Sequence, residues 1–370
     1  MTNVIHIGID VHKDHYSLCS FSFATKQLFG QTRIASKGSL VVKYVQRLRK
    51  EQPDCEVLCG YEAGPTGFGL SRELEAANIA CVLMAPTSLP KAPGNRVKTD
   101  RLDSQELAKH LAWGTYSAVH VPTPEDEVVK DYTRMRNTRV KAFKKAKQNL
   151  LAFLLRSGRV FTEGKTYWTQ IHFTWLRRQK FTDPLAQETF NEYLQEVLDQ
   201  QEKIARYDSQ IEEVAKREEY REMVSRLRCF RGIETHTALS LVVEIGDPSR
   251  FPNSQSFSCF FGLTPSEDSS GQREKRGGIT KAGNIRLRTL LIESAKSTMR
   301  SNVYGKSKRL LARQRGNDPA VIAYADRANR RLHKVYCNLT SRGVHTNKAT
   351  AAVARELSCF IWGMMNNKID

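Results

Sequence analysis

The stretch VIHIGIDVHKDHYSLCSFSFATKQLFGQTRIA, residues 4–35, sets the architecture of the first part of the chain. Its β-branched and apolar residues predict three strands, at Val4–Val11, His15–Phe23 and Gln27–Ala35. Helices and strands then alternate at Leu40–Arg49, Cys55–Tyr61, Phe68–Ala77, Ile79–Met84 and in a helix beginning near Asp100. The order βββ-α-β-α-β-α predicts an RNase H-like mixed sheet in an α/β domain spanning 1–122.

The remainder of the chain is predicted to be mostly helical, in two further regions. In the region 123–228, a long basic helix at Val128–Leu155 precedes Leu185–Leu227, where apolar residues recur every seven positions as in a coiled coil. Such a stripe can pack within one chain or between protomers, and packing between protomers would give a homo-oligomer. The region 229–370 is expected to be mostly α-helical, with helices at Ile285–Met299, Ala320–Leu339 and Ala349–Met365.

Composition predicts a protein that binds a polyphosphate. The 370 residues carry a formal net charge of +19, and 40% are hydrophobic, as in folded proteins. Between 130 and 160 there are ten basic residues and a single acidic one, Asp131. Between 271 and 350 there are nineteen basic residues and four acidic ones. Basic faces attract nucleic acid by releasing counterions, whatever its sequence. A merely solvated cationic surface is the alternative.

The sequence favours a cytoplasmic location. No apolar stretch approaches the roughly 20 residues that span a bilayer, and the N-terminus lacks a signal-peptide pattern. The eight cysteines are scattered without paired CxxC motifs. A disulfide framework and a zinc ribbon are therefore not expected.

Four acidic residues from three segments are predicted to converge. Asp10 ends the first strand and Glu62 ends a later one, so a mixed sheet can bring both to one edge. Asp100 and Asp103, three residues apart, share one face of a helix. Carboxylate oxygens suit Mg²⁺ or Mn²⁺, which can hold the attacking and leaving oxygens of a phosphodiester. The sequence therefore predicts a divalent-metal site, although Asp100 is also suited to capping its helix after Thr99.

The segment 262–291 combines hydroxyl groups with cations. A serine such as Ser266, Ser269 or Ser270 attacks phosphorus only when a base or metal takes its proton and cations neutralise the phosphate. The segment offers no obvious base apart from Asp268, so a carboxylate or metal of the first domain is expected to help. A solvated turn that binds backbone phosphate is the alternative. Nucleic-acid contacts are predicted for eight basic residues: Arg273, Lys275, Arg276, Lys281, Arg286, Lys141, Lys144 and Lys145.

Two other motifs give weaker signals. His6, His12 and His15 do not share one element at ligand spacing, which argues against a zinc site. CFRGIETHTALSLVVEIGD, residues 229–247, resembles the second half of a helix-hairpin-helix, in which a glycine turn presents a helix N-terminus to a phosphate. Glu234 stands where a second glycine is usual, and a simple helix start is an equally good interpretation.

Together these motifs resemble the DEDD-type transposases of bacterial insertion sequences, in insertion-sequence family one-hundred-ten. IGIDVHKD (7–14), GYEAGPTG (60–67) and VKTDRLDSQELA (97–108) are similar to the family's RuvC-like tetrad in order and spacing. EIGDPSRF (244–251) and FGLTPSEDSSGQREKRGGITKAGNIRLR (261–288) resemble its C-terminal transposase domain.

The resemblance implies a bridge-RNA-guided DNA recombinase. A structured guide RNA would pair with donor and target DNA, so that base pairing reads the sequence. Asp10, Glu62, Asp100 and Asp103 would form the catalytic Mg²⁺ or Mn²⁺ site, and Ser269 would form a covalent link to DNA. Ser270 is the nearest alternative nucleophile. The active protein would be a homo-oligomer, a dimer or a tetramer.

Two other classes of protein compete with this interpretation. A RuvC-like junction nuclease would hydrolyse DNA with metal-activated water and form no covalent protein–DNA adduct. A noncatalytic nucleic-acid-binding protein would use its basic surface alone, with the four acids as structural residues. Metal-dependent activity on supercoiled DNA would distinguish both enzymes from the binding protein.

Overall fold

The computed structural model divides into two compact units, Met1–Val121 and Pro122–Asp370. The residues it describes are 3–89, 99–267, 276–299 and 305–369. Among these residues, every helix is too short or too polar to cross a membrane. The proposed separation of 123–228 from 229–370 stays a prediction.

In its described residues, the first unit contains a five-stranded mixed sheet with three α-helices. Its elements are β1 (Asn3–Val11), β2 (His15–Ser22), β3 (Gln27–Ala35), α1 (Gly38–Glu51), β4 (Cys55–Glu62), α2 (Gly69–Ala76), β5 (Ala80–Met84) and α3 (Asp100–Trp113). The strand order is β3-β2-β1-β4-β5. The first three strands pair antiparallel, while β4 runs parallel to both β1 and β5. The predicted element order is confirmed, and this topology is compatible with an RNase H-like domain.

The two faces of β1 explain how the helices pack. Ile5, Ile7 and Ile9 are fully buried in a core that includes Val41 and Val45 of α1. Alternate residues of a strand point to opposite faces of the sheet. The other face of β1 therefore remains for α3, which packs against β1 and β2.

The second unit is mostly helical, as predicted. Its helices are α4 (Pro124–Arg156), α5 (Gln170–Arg177), α6 (Pro184–Val214), α7 (Glu218–Leu227), α8 (Thr235–Ile245), α9 (Ser254–Phe260), α10 (Ile285–Met299), α11 (Lys308–Gln314), α12 (Pro319–Ser341) and α13 (Thr346–Met365). Two short strands, β6 (Pro265–Glu267) and β7 (Arg276–Ile279), form an antiparallel hairpin.

Helices α4 and α6 pack together within the chain. Tyr132 contacts Tyr207 with ring centroids 5.9 Å apart, and Phe153 contacts Tyr193 at 5.7 Å, so the two helices run antiparallel. The heptad stripe on α6 is therefore used within one chain, and Val197 is fully buried there.

Two features of this region differ from the expected pattern. The predicted continuous helix at Leu185–Leu227 is broken at 215–217, so that α7 packs its own buried face into the C-terminal core. The unpatterned segment 157–184 contains α5, which is held by aromatic contacts around the buried His172. No periodic apolar pattern marks the break at 215–217 or helix α5, because both depend on tertiary contacts.

Candidate active site

Asp10 and Glu62 lie side by side at one edge of the sheet. Strands β1 and β4 are parallel and in register up to the pair Ile9–Tyr61, so Asp10 and Glu62 are the next residues on adjacent strands. Each acid comes two residues after a glycine that faces α3: Gly8 precedes Asp10, and Gly60 precedes Glu62. Because side chains alternate along a strand, the two carboxylates point to the α3 side of the sheet.

The other two acids belong to the first turn of α3. Thr99 caps this helix, with its hydroxyl oxygen accepting a hydrogen bond from the Leu102 N–H at 3.4 Å. Asp100 therefore does not serve as the cap, and its carboxylate contacts other side chains. Asp100 and Asp103 are both half-buried, and acidic residues in a first turn are stabilised by the helix dipole.

A glycine allows α3 to approach the sheet closely, so that its first turn brings Asp100 and Asp103 near Asp10. A Cβ atom at Gly8 would lie 2.3 Å from both the Ser104 carbonyl oxygen and the Ala108 nitrogen of α3. No larger residue fits there without displacing the helix, because such distances lie far inside van der Waals contact. The close packing thus sets where the first turn of α3 meets the strand ends.

Two histidines that the sequence argument set aside join the acids. His12 Nε2 lies 3.0 Å from Asp10 Oδ2 and 3.4 Å from Asp100 Oδ1. His15 Nε2 lies 2.9 Å from Asp100 Oδ2, and the two imidazole rings stack at 4.9 Å. The tight turn between β1 and β2, where the His12 N–H donates to the His15 carbonyl, brings them together. The sequence shows only that the two histidines flank this turn, because their contact with Asp100 depends on the packing of α3 as well.

The acids influence one another electrostatically. Burial raises the pKa of Asp10, and the negative charges of Asp103 and Asp100 raise it further, against the lowering effect of His12. The hydrogen bond from His15 lowers the pKa of Asp100. A cation placed among these groups would relieve the repulsion, so the donor set fits a divalent metal ion.

The predicted nucleophiles Ser269 and Ser270 lie outside the described residues, as do Arg273 and Lys275. Their segment, 268–275, joins the paired ends of the β6–β7 hairpin, where Glu267 lies opposite Arg276. Thr280 and Lys281 donate backbone hydrogen bonds to the carbonyls of Thr264 and Gly262, at 2.9 and 3.1 Å.

A groove of about 1070 Å³, here called the hairpin groove, lies between the hairpin, α10 and the first half of α13. Leu263, Ile279 and Ile292 are among the apolar residues that line it. Its cationic lining residues are Lys281, Lys296, Lys348 and Arg355. Of these, Lys281, Lys348 and Arg355 are exposed and form no ion pair with another described residue. The groove therefore presents positive charge along the described part of the hairpin.

Four of the remaining predicted nucleic-acid contacts are exposed on helices. Lys141, Lys144 and Lys145 lie on the solvent side of α4, whereas Ala146 on the same helix is buried against α6 and its neighbours. Arg286 is exposed in the first turn of α10. For Arg276 the structure describes the backbone alone, in β7.

Glu234 occupies the N-terminal end of α8 and is paired with cations. Its carboxylate contacts Arg313 and lies 3.4 Å from Arg309. Gly232 precedes it with φ of +77°, so the turn has the expected glycine despite the acidic residue at 234. The ion pairs partly neutralise positive charge where a helix-hairpin-helix would meet a phosphate.

A buried cluster that sequence reasoning missed connects α4 to the hairpin region. Glu244 accepts from Arg134 through Nε at 2.6 Å and through the terminal nitrogen at 2.9 Å, and it accepts from Asn284 at 3.1 Å. Asn284 also accepts hydrogen bonds from the backbone N–H groups of Arg286 and Leu287 at the start of α10. Glu244 thereby holds together α4, α8 and the turn that follows β7.

Comparison with known protein families finds two matching models. One, described as Transposase IS116/IS110/IS902 family, matches residues 224–310. The other, a transposase model of the DEDD type of IS110, matches residues 7–158, which include the four acids.

Curated relatives match over most of the chain. The transposase for insertion sequence element IS1533 of Leptospira borgpetersenii is 32% identical over 346 residues, covering 92% of this chain and 97% of the relative. A putative transposase, y4qE, of Sinorhizobium fredii is 36% identical over 82% of this chain and 74% of the relative. The transposase for IS1111A of Coxiella burnetii is 27% identical over 88% of each.

Proposed function

The chain belongs to the IS110 family of DEDD transposases, and we propose that it cuts and rejoins DNA through a serine-linked intermediate under the guidance of an RNA. Its activity as a DNA transposase follows from the family. The observation that carries the chemical proposal is the adjacency of Asp10 and Glu62 at the strand ends facing α3, whose first turn supplies Asp100 and Asp103.

The four carboxylates would hold Mg²⁺ or Mn²⁺. When bound, such an ion supplies positive charge that neutralises a phosphodiester and favours the ionised form of a nearby hydroxyl. The chain's own contribution is to orient the ligands. The strands position Asp10 and Glu62, while the close approach of α3 at Gly8 positions the other two acids.

Ser269 is the proposed nucleophile. Its Oγ would form a bond to phosphorus while the bond from phosphorus to one deoxyribose oxygen breaks. The serine proton passes to a base, and the released deoxyribose oxygen takes a proton. Reversal of the same step with a different DNA end rejoins the strand, so no nucleotide cofactor is needed. The four-acid site and the serine would act on one phosphodiester.

The hairpin groove is the proposed path of the cleaved DNA strand. Its exposed cations, Lys281, Lys348 and Arg355, suit the backbone phosphates of a DNA strand. Its lining includes both sides of the hairpin that carries segment 268–275. Donor and target strands would both use this path.

The exposed lysines of α4 are the proposed contacts with the guide RNA. Phosphate contacts by Lys141, Lys144 and Lys145 would weaken as salt rises. Replacing all three with Ala should reduce the slope of log affinity against log salt by about 2, since each contact contributes about 0.7 to 0.9. Lys216→Ala is the matched control, because that lysine is already paired with Glu213 at 2.6 Å.

RNA guidance has its own readout. The wild-type chain should bind the noncoding RNA of its own element more tightly than a scrambled RNA of equal length. Equal affinity for the two RNAs across a salt titration would remove RNA guidance from the proposal. It would leave transposase membership unaffected.

Covalent trapping tests the serine step. The full chain is incubated with Mg²⁺ and a nicked DNA substrate, and the adducted peptide is identified by mass spectrometry. Ser269→Ala should abolish cleavage and adduct while DNA affinity stays within about twofold, because one hydroxyl contributes little to an interface dominated by phosphate contacts. Ser266→Ala is a matched control, since its hydroxyl donates to the Gly278 carbonyl within the same hairpin.

Each other outcome has a definite meaning. An adduct on Ser270 would move the nucleophile by one residue. Cleavage without any adduct would favour a nuclease that activates water. Asp10→Asn and Glu62→Gln should each abolish strand cleavage without unfolding the chain, and normal cleavage by both would overturn the metal-site assignment.

A homo-oligomer, a dimer or a tetramer, is proposed as the active form. Exchange between two DNA duplexes requires cuts in several strands, and each cut by this chemistry uses one serine. Light scattering of the chain with DNA and RNA would measure the number of copies. A monomer that recombines DNA would contradict this part of the proposal.

A further inference from the structure

Two nitrogen donors face the acid cluster on which the proposed function relies. Nε2 of His12, Nε2 of His15 and a carboxylate oxygen of Asp100 all lie within 4.8 Å of one another. Asp10 Oδ2 lies 3.0 Å from His12 Nε2 but does not belong to this group of three. Sites built from oxygens alone suit Mg²⁺, whereas imidazole nitrogen suits Zn²⁺, Co²⁺ and Ni²⁺.

We propose that His12, His15, Asp100 and Asp10 form a mixed nitrogen and oxygen site that binds a first-row transition-metal ion, represented by Zn²⁺ or Co²⁺, more tightly than Mg²⁺. The proposal deepens the four-acid site of the proposed function, because Asp10 and Asp100 belong to both donor sets. The two histidines would determine which class of metal ion the chain prefers.

The spacing of the donors supports this assignment. In a tetrahedral site with bonds of about 2.1 Å, neighbouring ligand atoms lie about 3.4 Å apart. His12 Nε2 and Asp100 Oδ1 are separated by 3.4 Å, and the other two close pairs by 3.0 and 2.9 Å. Small shifts of the His12, His15 and Asp100 side chains therefore suffice to coordinate an ion, and Asp10 reaches it by moving from its contact with His12. His12 and His15 flank a tight turn whose backbone is already ordered. Metal binding therefore requires little further ordering of the backbone.

Arg33 opposes metal binding through the tautomer of His15. The Arg33 guanidinium donates to His15 Nδ1 at 3.1 Å, and a guanidinium has no acceptor. The ring proton of neutral His15 therefore lies on Nε2, from which it is donated to Asp100. Coordination through Nε2 requires that this proton leave to solvent and that Nδ1 take one. Arg33 is exposed, so its contact is weak and can be released.

This arrangement predicts a variant that improves the site. Metal-bound histidines usually donate their second N–H to a carboxylate, and removing such a partner typically costs 10- to 100-fold in affinity. Arg33→Glu would place an acceptor where the guanidinium now donates. The variant should tighten Co²⁺ binding about tenfold if His15 is a ligand.

The test measures ion binding by the full metal-free chain, separately from its activity. Co²⁺ is titrated while its visible absorption bands are recorded, Zn²⁺ is used to displace it, and Mg²⁺ binding is measured by calorimetry. We expect one Co²⁺ per chain with an affinity at least about 100-fold above that for Mg²⁺, following the preference of imidazole ligands. His12→Gln and His15→Gln should each weaken Co²⁺ by about 10-fold or more and change Mg²⁺ affinity less than about twofold.

The controls distinguish this inference from the proposed function. His110→Gln alters a histidine of α3 that bonds to Thr115 outside the cluster, and it should change neither affinity. Unchanged or tighter Co²⁺ binding in both histidine variants would overturn the inference, because the imidazoles would then merely neutralise the acids. If Asp103→Asn still abolishes Mg²⁺ binding in that case, the proposed function stands. If Asp103→Asn leaves Mg²⁺ binding and strand cleavage intact while Co²⁺ depends on the histidines, the proposed function fails and the inference stands.

Discussion

Glu244 is a buried anion of α8 whose partners come from α4 and from the turn before α10. Burial raises its pKa, but the hydrogen bond and charge of Arg134, with the charge of Lys130, outweigh burial and leave the pKa below its ordinary value of 4.5. Arg134 and Lys130 belong to α4, and Asn284 precedes α10. Its stabilising contribution is therefore present above about pH 4.5 and is lost as the pH falls through the lower folded pKa.

Glu244→Gln should reduce the free energy of unfolding at pH 7 by about 3 kcal/mol, because it leaves buried cations without a countercharge. The loss should shrink as the pH falls through the lowered folded-state pKa of Glu244, because the wild-type carboxyl is then protonated as well. Urea denaturation at several pH values measures both effects. Glu293→Gln is the control, since its surface pair with Lys296 is worth at most about 1 kcal/mol. An equal loss in the two variants would contradict the role of the buried cluster.

His236, in the first turn of α8, makes stability depend on pH in a different range. Burial, aided by the positive charge of Arg136, lowers its pKa to about 4. Between pH 6.5 and 4 the unfolded chain therefore binds a proton that the folded chain does not. Stability should fall with decreasing pH in this window, by up to about 1.4 kcal/mol per unit.

Thermal melts of the wild-type chain and His236→Gln at pH 7, 6 and 5 would measure this effect. The variant should lose part of the pH dependence while its stability at pH 5 approaches or exceeds that of the wild type. His345, an exposed helix cap, gives the control substitution His345→Gln. Parallel pH curves for the wild type and His236→Gln would show that His236 is not the group responsible.

At the scale of elements, the contact between α3 and β1 depends on Gly8, which has no side chain to obstruct it. Gly8→Ala places a methyl group against the backbone of Ser104 and Ala108, which cannot move separately from the helix. We expect a loss of about 1 to 3 kcal/mol in stability and a displaced first turn of α3. Mg²⁺ affinity should fall with it, because Asp100 and Asp103 move together.

Calorimetry with Mg²⁺ and urea denaturation of the Gly8→Ala variant check the two effects separately. Gly69→Ala is the control, since a Cβ atom there meets no other atom within 4 Å. Unaltered metal affinity in the Gly8 variant would indicate that the position of α3 does not govern the acid site.

Periodic elements were predictable from sequence, and contacts between elements were not. Strand β3 and helix α10 have the predicted bounds because apolar alternation and helical spacing are local signals. The break after α6 carries neither Gly nor Pro, so local chemistry gives no warning of it. The hairpin β6–β7 has few apolar residues, and its pairing depends on backbone hydrogen bonds.

In the candidate site, too, local patterns were predictable from sequence and contacts between elements were not. Asp10 and Glu62 were predictable as strand-end acids, because parallel strands bring equivalent positions to one edge. His12 and His15 were not, since their convergence on Asp100 requires the turn after β1 and the packing of α3 at once. The cluster around Glu244 joins residues more than a hundred positions apart in sequence, and no local pattern marks such a contact.

At the scale of the whole chain, each unit has a hydrophobic core of its own. The core around Ile5, Ile7 and Ile9 draws only on residues up to Val121, and the large core around Phe230 starts at Val129. The fragment 1–121 should therefore fold alone. We expect a cooperative urea transition with a slope of about 1 to 3 kcal/mol per molar.

Circular dichroism of the fragment 1–121 during urea and thermal denaturation would check this expectation. The same fragment carrying Ile7→Asn provides the unfolded reference, because it buries an amide at the centre of the core. A broad, noncooperative loss of signal in the unaltered fragment would mean that its fold needs the rest of the chain.

The alternation of faces along β1 limits which changes of length this strand tolerates. One inserted residue between Gly8 and Asp10 would turn the carboxylate to the face now occupied by Ile9, while every ligand remained in the sequence. Two inserted residues would restore the face but move Asp10 about 7 Å further along the strand. The number of residues between Gly8 and Asp10 therefore cannot change without moving the carboxylate. Natural insertions and deletions should accordingly occur in turns and not in this strand.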